Sequence, residues 1–111
     1  MTKVTIFKRG NDILEFSCEG HTGYADHGQD IVCASVSSIV QSCGLGLVKV
    51  LGLKCDIVQN DDKGIYKLRL PKGLGESEMA KAQILLKTMS LSIKDLEKGY
   101  PSNIKMEVKK L

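Results

Sequence analysis

The chain has 111 residues, 42% of them apolar, a mean hydropathy near zero and a formal net charge of +3. A chain of this size makes one domain, residues 1–111, able to bury roughly two-thirds of its unfolded surface. The mild charge argues against a nucleic-acid binder, which gathers Lys and Arg on one face. The N-terminal MTKVTIFKRG lacks an apolar run of signal-peptide length and no segment reads as a bilayer span, so a cytoplasmic protein without membrane contact is expected.

Residues 3 to 9 alternate, with Val4 and Ile6 on one face and Thr5 and Phe7 on the other. After the turn Gly10-Asn11-Asp12, Leu14, Phe16 and Cys18 alternate with Ile13, Glu15 and Ser17. Two period-2 runs around a short polar turn predict a β-hairpin. The run from Ile31 to about Leu51 is too long for a strand, and its polar Ser35, Ser38, Ser42 and Lys49 recur at helical spacing. Asp30 is the expected N-cap, and the helix is expected to stop at Gly52. Gly44 and Gly46 each cost about 1 kcal/mol inside a helix relative to Ala, so a neighbouring backbone is expected to pack closely there.

Cys55–Val58 and Ile65–Leu70 flank Asn60-Asp61-Asp62-Lys63-Gly64, a second hairpin with a longer turn, closed by Pro71 and Gly73. Ser77 is expected to cap a long helix whose Met79, Ala82, Leu86, Met89, Ile93 and Leu96 form one apolar stripe. Lys98-Gly99-Tyr100-Pro101 stops it, with Gly99 expected in the left-handed region. Ile104, Met106 and Val108 alternate with Lys105, Glu107 and Lys109 in a last strand, whose lysines read as a solvated face. The order ββαββαβ predicts an α+β fold, one sheet of about five strands with two helices packed on it.

The chemistry concentrates between Glu19 and Ser38. If Asp30 caps the helix, Cys33 stands in its first turn, where free amides and the helix dipole favour a thiolate. His21 closes the second strand, and the loop between them costs little entropy to fold back. The imidazole can then take the thiol proton and return it to a leaving amine, and the first-turn amides can bind the oxyanion. Ser37 follows Cys33 by one turn on the same face and can bond the histidine or a substrate.

Other readings stand beside these. Cys33 can equally be a core thiol like Cys43, His27 is a rival base, and Asp30 is more often a cap than a catalytic acid. Tyr24, the large aromatic of the loop, can be a substrate wall or an anchor. The loop 22–29 holds Gly23 and Gly28 and few apolar groups, so it is expected to be mobile and to order on substrate. The four cysteines include no CxxC pair, which leaves no thioredoxin motif or zinc ribbon. Cys18, His21, His27 and Cys33 make a C-x2-H-x5-H-x5-C set unlike common zinc frames, and no metal or cofactor is expected. No Lys or Arg occurs from Gly10 to Val48, where Asp12, Glu15, Glu19, Asp26 and Asp30 give a local charge of −5, which points to a cationic substrate. A non-catalytic ribosome-associated or RNA-binding α+β domain, and a thiol redox or metal-binding protein, remain the alternatives.

The run GHTGYADHGQDIVCASVS resembles the signature of the ribosomal-processing cysteine protease (Prp) family, a Gly-His, a glycine-containing loop, Asp-Ile-Val-Cys-Ala and a Ser four positions after the Cys. The resemblance implies a catalytic His21–Cys33 dyad supported by Asp30 and Ser37, and a substrate loop that includes Thr22, Gly23, Tyr24, Asp26 and Gly28. It also implies a homodimer acting on the precursor of a large-subunit ribosomal protein with a short N-terminal extension, cut after an aromatic pair and before a small residue. Thr22 stands where that pattern has a small, alanine-like residue.

Overall fold

The computed structural model describes residues 1–26 and 29–111. Its elements follow the expected order: β1 Thr2–Arg9, β2 Asp12–Glu19, α1 Ile31–Leu45, β3 Asp56–Asn60, β4 Ile65–Arg69, α2 Glu76–Gly99 and β5 Ile104–Lys110. The five strands form one sheet in the order β3-β4-β2-β1-β5, with β1 and β5 parallel and the other pairs antiparallel. Both helices bury their apolar sides in one core with Val4, Ile6, Phe16, Leu68 and Ile104. The opposite face carries the ion pairs Lys3–Glu107, Lys67–Glu19 and Arg69–Glu15.

Several local expectations are corrected. The β1–β2 register slips between Phe7 and Lys8 of β1, so that Phe7 pairs Glu15 and Lys8 pairs Ile13, leaving Leu14 of β2 as an extra residue. A bulge inverts the alternation beyond it, and Ile13, rather than Leu14, joins Phe16 and Cys18 in the buried core. Gln83 of α2 holds this bulge: its side-chain oxygen accepts from the Ile13 amide at 2.7 Å and its nitrogen donates to the Ile13 carbonyl at 2.8 Å. Ser77 lies inside α2, and the N-cap is Gly75, whose amide donates to the Glu78 carboxylate at 3.4 Å. Gly99 is the last helical residue and does not take a positive φ. The helix ends because Pro101 keeps Tyr100 out of the helical region.

α1 continues as a π-helical turn, Gly46–Val50, so the helix runs 20 residues and is long and apolar enough to cross a membrane, contrary to expectation. One side of it faces the core, with Val32, Val36, Val40, Cys43 and Leu47 buried, while Ile31, Leu45 and Val50 are exposed. Its two glycines accommodate side chains rather than a backbone. A Cβ at Gly44 would collide with the Tyr66 hydroxyl, and one at Gly46 would fall 2.9 Å from a Leu85 methyl.

Candidate active site

The site lies where the end of β2, the start of α1 and the β3–β4 turn meet. Asp30 is the N-cap of α1, extended in backbone, and its Oδ1 accepts from the Cys33 amide at 2.8 Å. That fixes Cys33 in the first turn, as the sequence predicts, where it is half-buried. His21 follows Gly20, which takes φ +88° and lies against the N-terminal residues; a Cβ there would meet the Met1 carbonyl oxygen at 2.7 Å. The Thr2 hydroxyl donates to the Gly20 carbonyl at 2.9 Å, so β1 braces the point where the chain leaves β2.

The His21 Nδ1 stands 3.7 Å from the Cys33 sulfur, and its Nε2 stands 2.8 Å from the main-chain oxygen of Asp62. A carbonyl only accepts, so Nε2 carries the proton and Nδ1 presents its lone pair to the thiol. This is the polarity a general base requires. In the sequence Asp62 belongs only to a turn, and a main-chain oxygen leaves no signature in residue identity.

Asp30 is 6% exposed and works on both sides of the loop. Its Oδ2 accepts from the Thr22 hydroxyl, from the Tyr24 amide at 3.0 Å and from the Ala25 amide at 3.3 Å. Burial alone would raise this carboxyl, but the Thr22 hydroxyl and the Cys33, Ala25 and Tyr24 amides outweigh it and hold it below the ordinary value. Asp30 is therefore an ionised clamp, and the alternative of a catalytic acid is set aside. Thr22 is fully buried and supplies one arm of the clamp. The Thr22 carbonyl in turn accepts from the Asn103 side chain at 3.1 Å.

Two cavities flank the pair. One, of about 280 Å³, is bounded by His21, Cys33, Val40, Tyr66, Gly64 and Ser37. The other, of about 430 Å³, is bounded by His21, Cys33, Gly23, Ala25, Asp26 and Ser37. Ser37 thus borders both, one helical turn beyond Cys33. Tyr24 is half exposed and packs edge-on against Tyr100, ring centres 5.6 Å apart, which makes it an anchor for the loop. His27, the rival base and a member of the four-residue metal set, and Gly28 of the substrate loop lie outside the described residues.

Two expectations about the site change. The Cys33 amide already donates to the Asp30 side chain, and the Ala34 amide donates to the Asp30 carbonyl at 3.0 Å. The amides nearest the sulfur are thus committed to the cap rather than open to an oxyanion. The acidic segment also disperses on folding, because Glu15 and Glu19 pair with Arg69 and Lys67 on the open face and Asp30 is buried. Asp26 stays at the site and is joined by Asp61, which lies outside the acidic segment and borders the smaller cavity.

Comparison with known proteins gives the family and the fold. A family model described as cysteine protease Prp matches residues 1–105. The ribosomal processing cysteine protease Prp of Bacillus subtilis (strain 168) is 32% identical over 108 residues, covering 96% of each chain. That of Staphylococcus aureus (strain Mu50 / ATCC 700699) is 26% identical over 106 residues, covering 96% of this chain and 95% of the relative. The crystal structure of S. aureus Prp with a covalently linked product peptide matches at TM-score 0.87 and 25% identity, over 98% of this chain and 100% of that one. A Streptococcus mutans crystal structure shares the fold at TM-score 0.83 and 22% identity, over 100% of this chain and 96% of that one. With a family match that runs from the first strand into the last, this chain belongs to the ribosomal-processing cysteine protease Prp family.

Proposed function

We propose that this protein is an endopeptidase that removes the short N-terminal extension of a large-subunit ribosomal protein precursor, with Cys33 as nucleophile and His21 as base. The observation that carries the reading is the 3.7 Å approach of the His21 Nδ1 to the Cys33 sulfur, with the proton of the ring held on the far nitrogen. In the reaction Nδ1 takes the thiol proton as sulfur attacks the scissile carbonyl carbon. The imidazolium then gives that proton to the leaving amine as the C–N bond breaks. Water, deprotonated by the same nitrogen, next attacks the acyl carbon, the C–S bond breaks and Nδ1 returns the proton to the sulfur. The amides of Cys33 and Ala34 are committed to the cap, so Ser37, at the border of both cavities, is assigned the hydrogen bond to substrate.

The relatives support the substrate class by their names and by the S. aureus structures with a substrate peptide and a covalently linked product peptide. Asp26 and Asp61 beside the cavities suit the Lys-rich segment typical of a ribosomal protein past the cut. The working form is proposed to be a cytoplasmic homodimer, which sedimentation equilibrium tests. The decisive experiment is incubation with the candidate precursor, read by intact mass. One shortened product, absent with Cys33→Ala, is expected; cleavage by Cys33→Ala would sink the nucleophile assignment.

A further inference from the structure

The β3–β4 turn stands against the site because of strand register. β2 and β4 pair Ser17 with Lys67 and Cys18 with Tyr66, and two more steps along the same register bring Gly20 opposite Gly64. Both glycines have positive φ, +88° and +63°. A Cβ at Gly64 would lie 2.7 Å from the Gly20 carbonyl oxygen, 2.9 Å from its carbon and 3.3 Å from the His21 Cε1. Main-chain atoms cannot yield as a flexible side chain can, so only glycine lets the turn sit this deep. At that depth the turn delivers the Asp62 carbonyl to Nε2 at 2.8 Å. The turn is itself braced, since the Lys63 amide donates to the Asn60 side chain at 3.1 Å and the Gly64 amide to the Asp61 carbonyl at 3.2 Å.

We propose that the β3–β4 turn is the third part of the catalytic apparatus. The Asp62 main-chain carbonyl holds the His21 proton on Nε2 and steadies the imidazolium, and Gly64 sets the distance. The inference rests on the dyad reading above. It assigns to a backbone oxygen the orienting role that a carboxylate side chain fills in other nucleophile–histidine pairs. During attack the S–H bond of Cys33 breaks and an Nδ1–H bond forms, while Nε2–H stays bonded to Asp62. When the leaving amine takes the Nδ1 proton, the original tautomer returns. Asp62 and Gly64 are positioning residues that act through His21, with no demand on the Asp62 carboxylate.

The test replaces the Asp62–Lys63 amide by an ester, whose carbonyl is a weaker acceptor. Cys55 gives the ligation junction, with residues 55–111 made by synthesis. The ester also removes the Lys63 amide, so Asn60→Ala, which loses that same turn bond, is its control. Gly64→Ala is the genetic counterpart, and Lys63→Ala probes the turn without touching the carbonyl. Readouts on the resting enzyme are the alkylation rate of Cys33 by iodoacetamide near neutral pH and the tautomer of His21 from imidazole nitrogen shifts.

The ester and Gly64→Ala are expected to slow alkylation about 10- to 100-fold and to lower the Nε2–H population, as displaced groups do. Lys63→Ala is expected to match the wild type and Asn60→Ala to fall well short of the ester. The proposal is overturned if the ester protein alkylates at the wild-type rate with an unchanged tautomer, or if Asn60→Ala slows it equally. His21→Ala separates the two levels of the argument. If it leaves alkylation untouched, the dyad itself fails; if it slows alkylation while the ester does not, only the role of the turn fails.

Discussion

At the scale of residues, four thiols in one small domain are sorted by environment. Burial, above all, pushes Cys18 and Cys43 up to about 12, whereas Cys33 stands half-buried at a helix start beside an imidazole. Iodoacetamide applied to the native protein should therefore modify Cys33 first and reach Cys18 and Cys43 only on unfolding, as peptide mass mapping would show. Cys33→Ala should abolish cleavage with little change in melting temperature, while Cys43→Ala should cost about 1 kcal/mol and keep activity. The opposite pattern would exchange their roles. The two buried thiols titrate above their unfolded value near 9, so the stability they confer is complete below pH 9 and is lost as pH rises toward 12. Residue identity foretold the Asp30 cap and the places of Cys33 and His21 because each rests on a side chain with a local signature. It could not foretell that a main-chain oxygen would face the histidine.

At the scale of elements, the Asp30 carboxylate joins the α1 start to the strand-to-helix loop through four hydrogen bonds. Asp30→Ala removes the cap and strands buried donors, and should cost about 2 kcal/mol. Hydrogen exchange at the Tyr24 and Ala25 amides should accelerate with it, and unchanged protection there would refute the clamp. Because the folded carboxyl lies below its unfolded value near 4, its stabilisation is full above that pH and fades as pH falls through the folded value. An acid melting series should be correspondingly flatter for Asp30→Ala. Gly44→Ala should cost about 1–3 kcal/mol by driving a methyl into the Tyr66 hydroxyl. Tyr66→Phe, which removes that oxygen, should recover part of the loss, and strict additivity of the two changes would show that they do not meet. Periodicity and turn residues made the element order legible. The β2 bulge was not, because Gln83 of a distant helix stabilises it, nor was the Gly75 cap, which rests on the neighbouring Glu78.

At the scale of the whole molecule, folding redistributes a charge pattern that looks simple along the chain. Glu15 and Glu19 turn to the open face and pair with basic residues, while Asp61 comes to a cavity beside His21. kcat/KM on the precursor should therefore fall with salt, and the slope should weaken in Asp26→Asn/Asp61→Asn but not in Glu15→Gln/Glu19→Gln. Equal slopes would mean that steering comes from elsewhere. Strand order was beyond periodicity, since a hydrophobic face does not say which edge neighbours which. That order carries a consequence for biosynthesis. β1 lies inside the sheet, between β2 and the parallel β5, and Asn103, just before β5, bonds the Thr22 carbonyl beside His21. Of the five described strands, β1 is made first and waits, half-paired, for β5, which is made last. A nascent chain arrested before Ile104 should already hold Cys33 and His21 yet lack the brace at Thr22. The protease is expected to gain its selective Cys33 reactivity only once β5 has paired with β1 and Asn103 has braced Thr22.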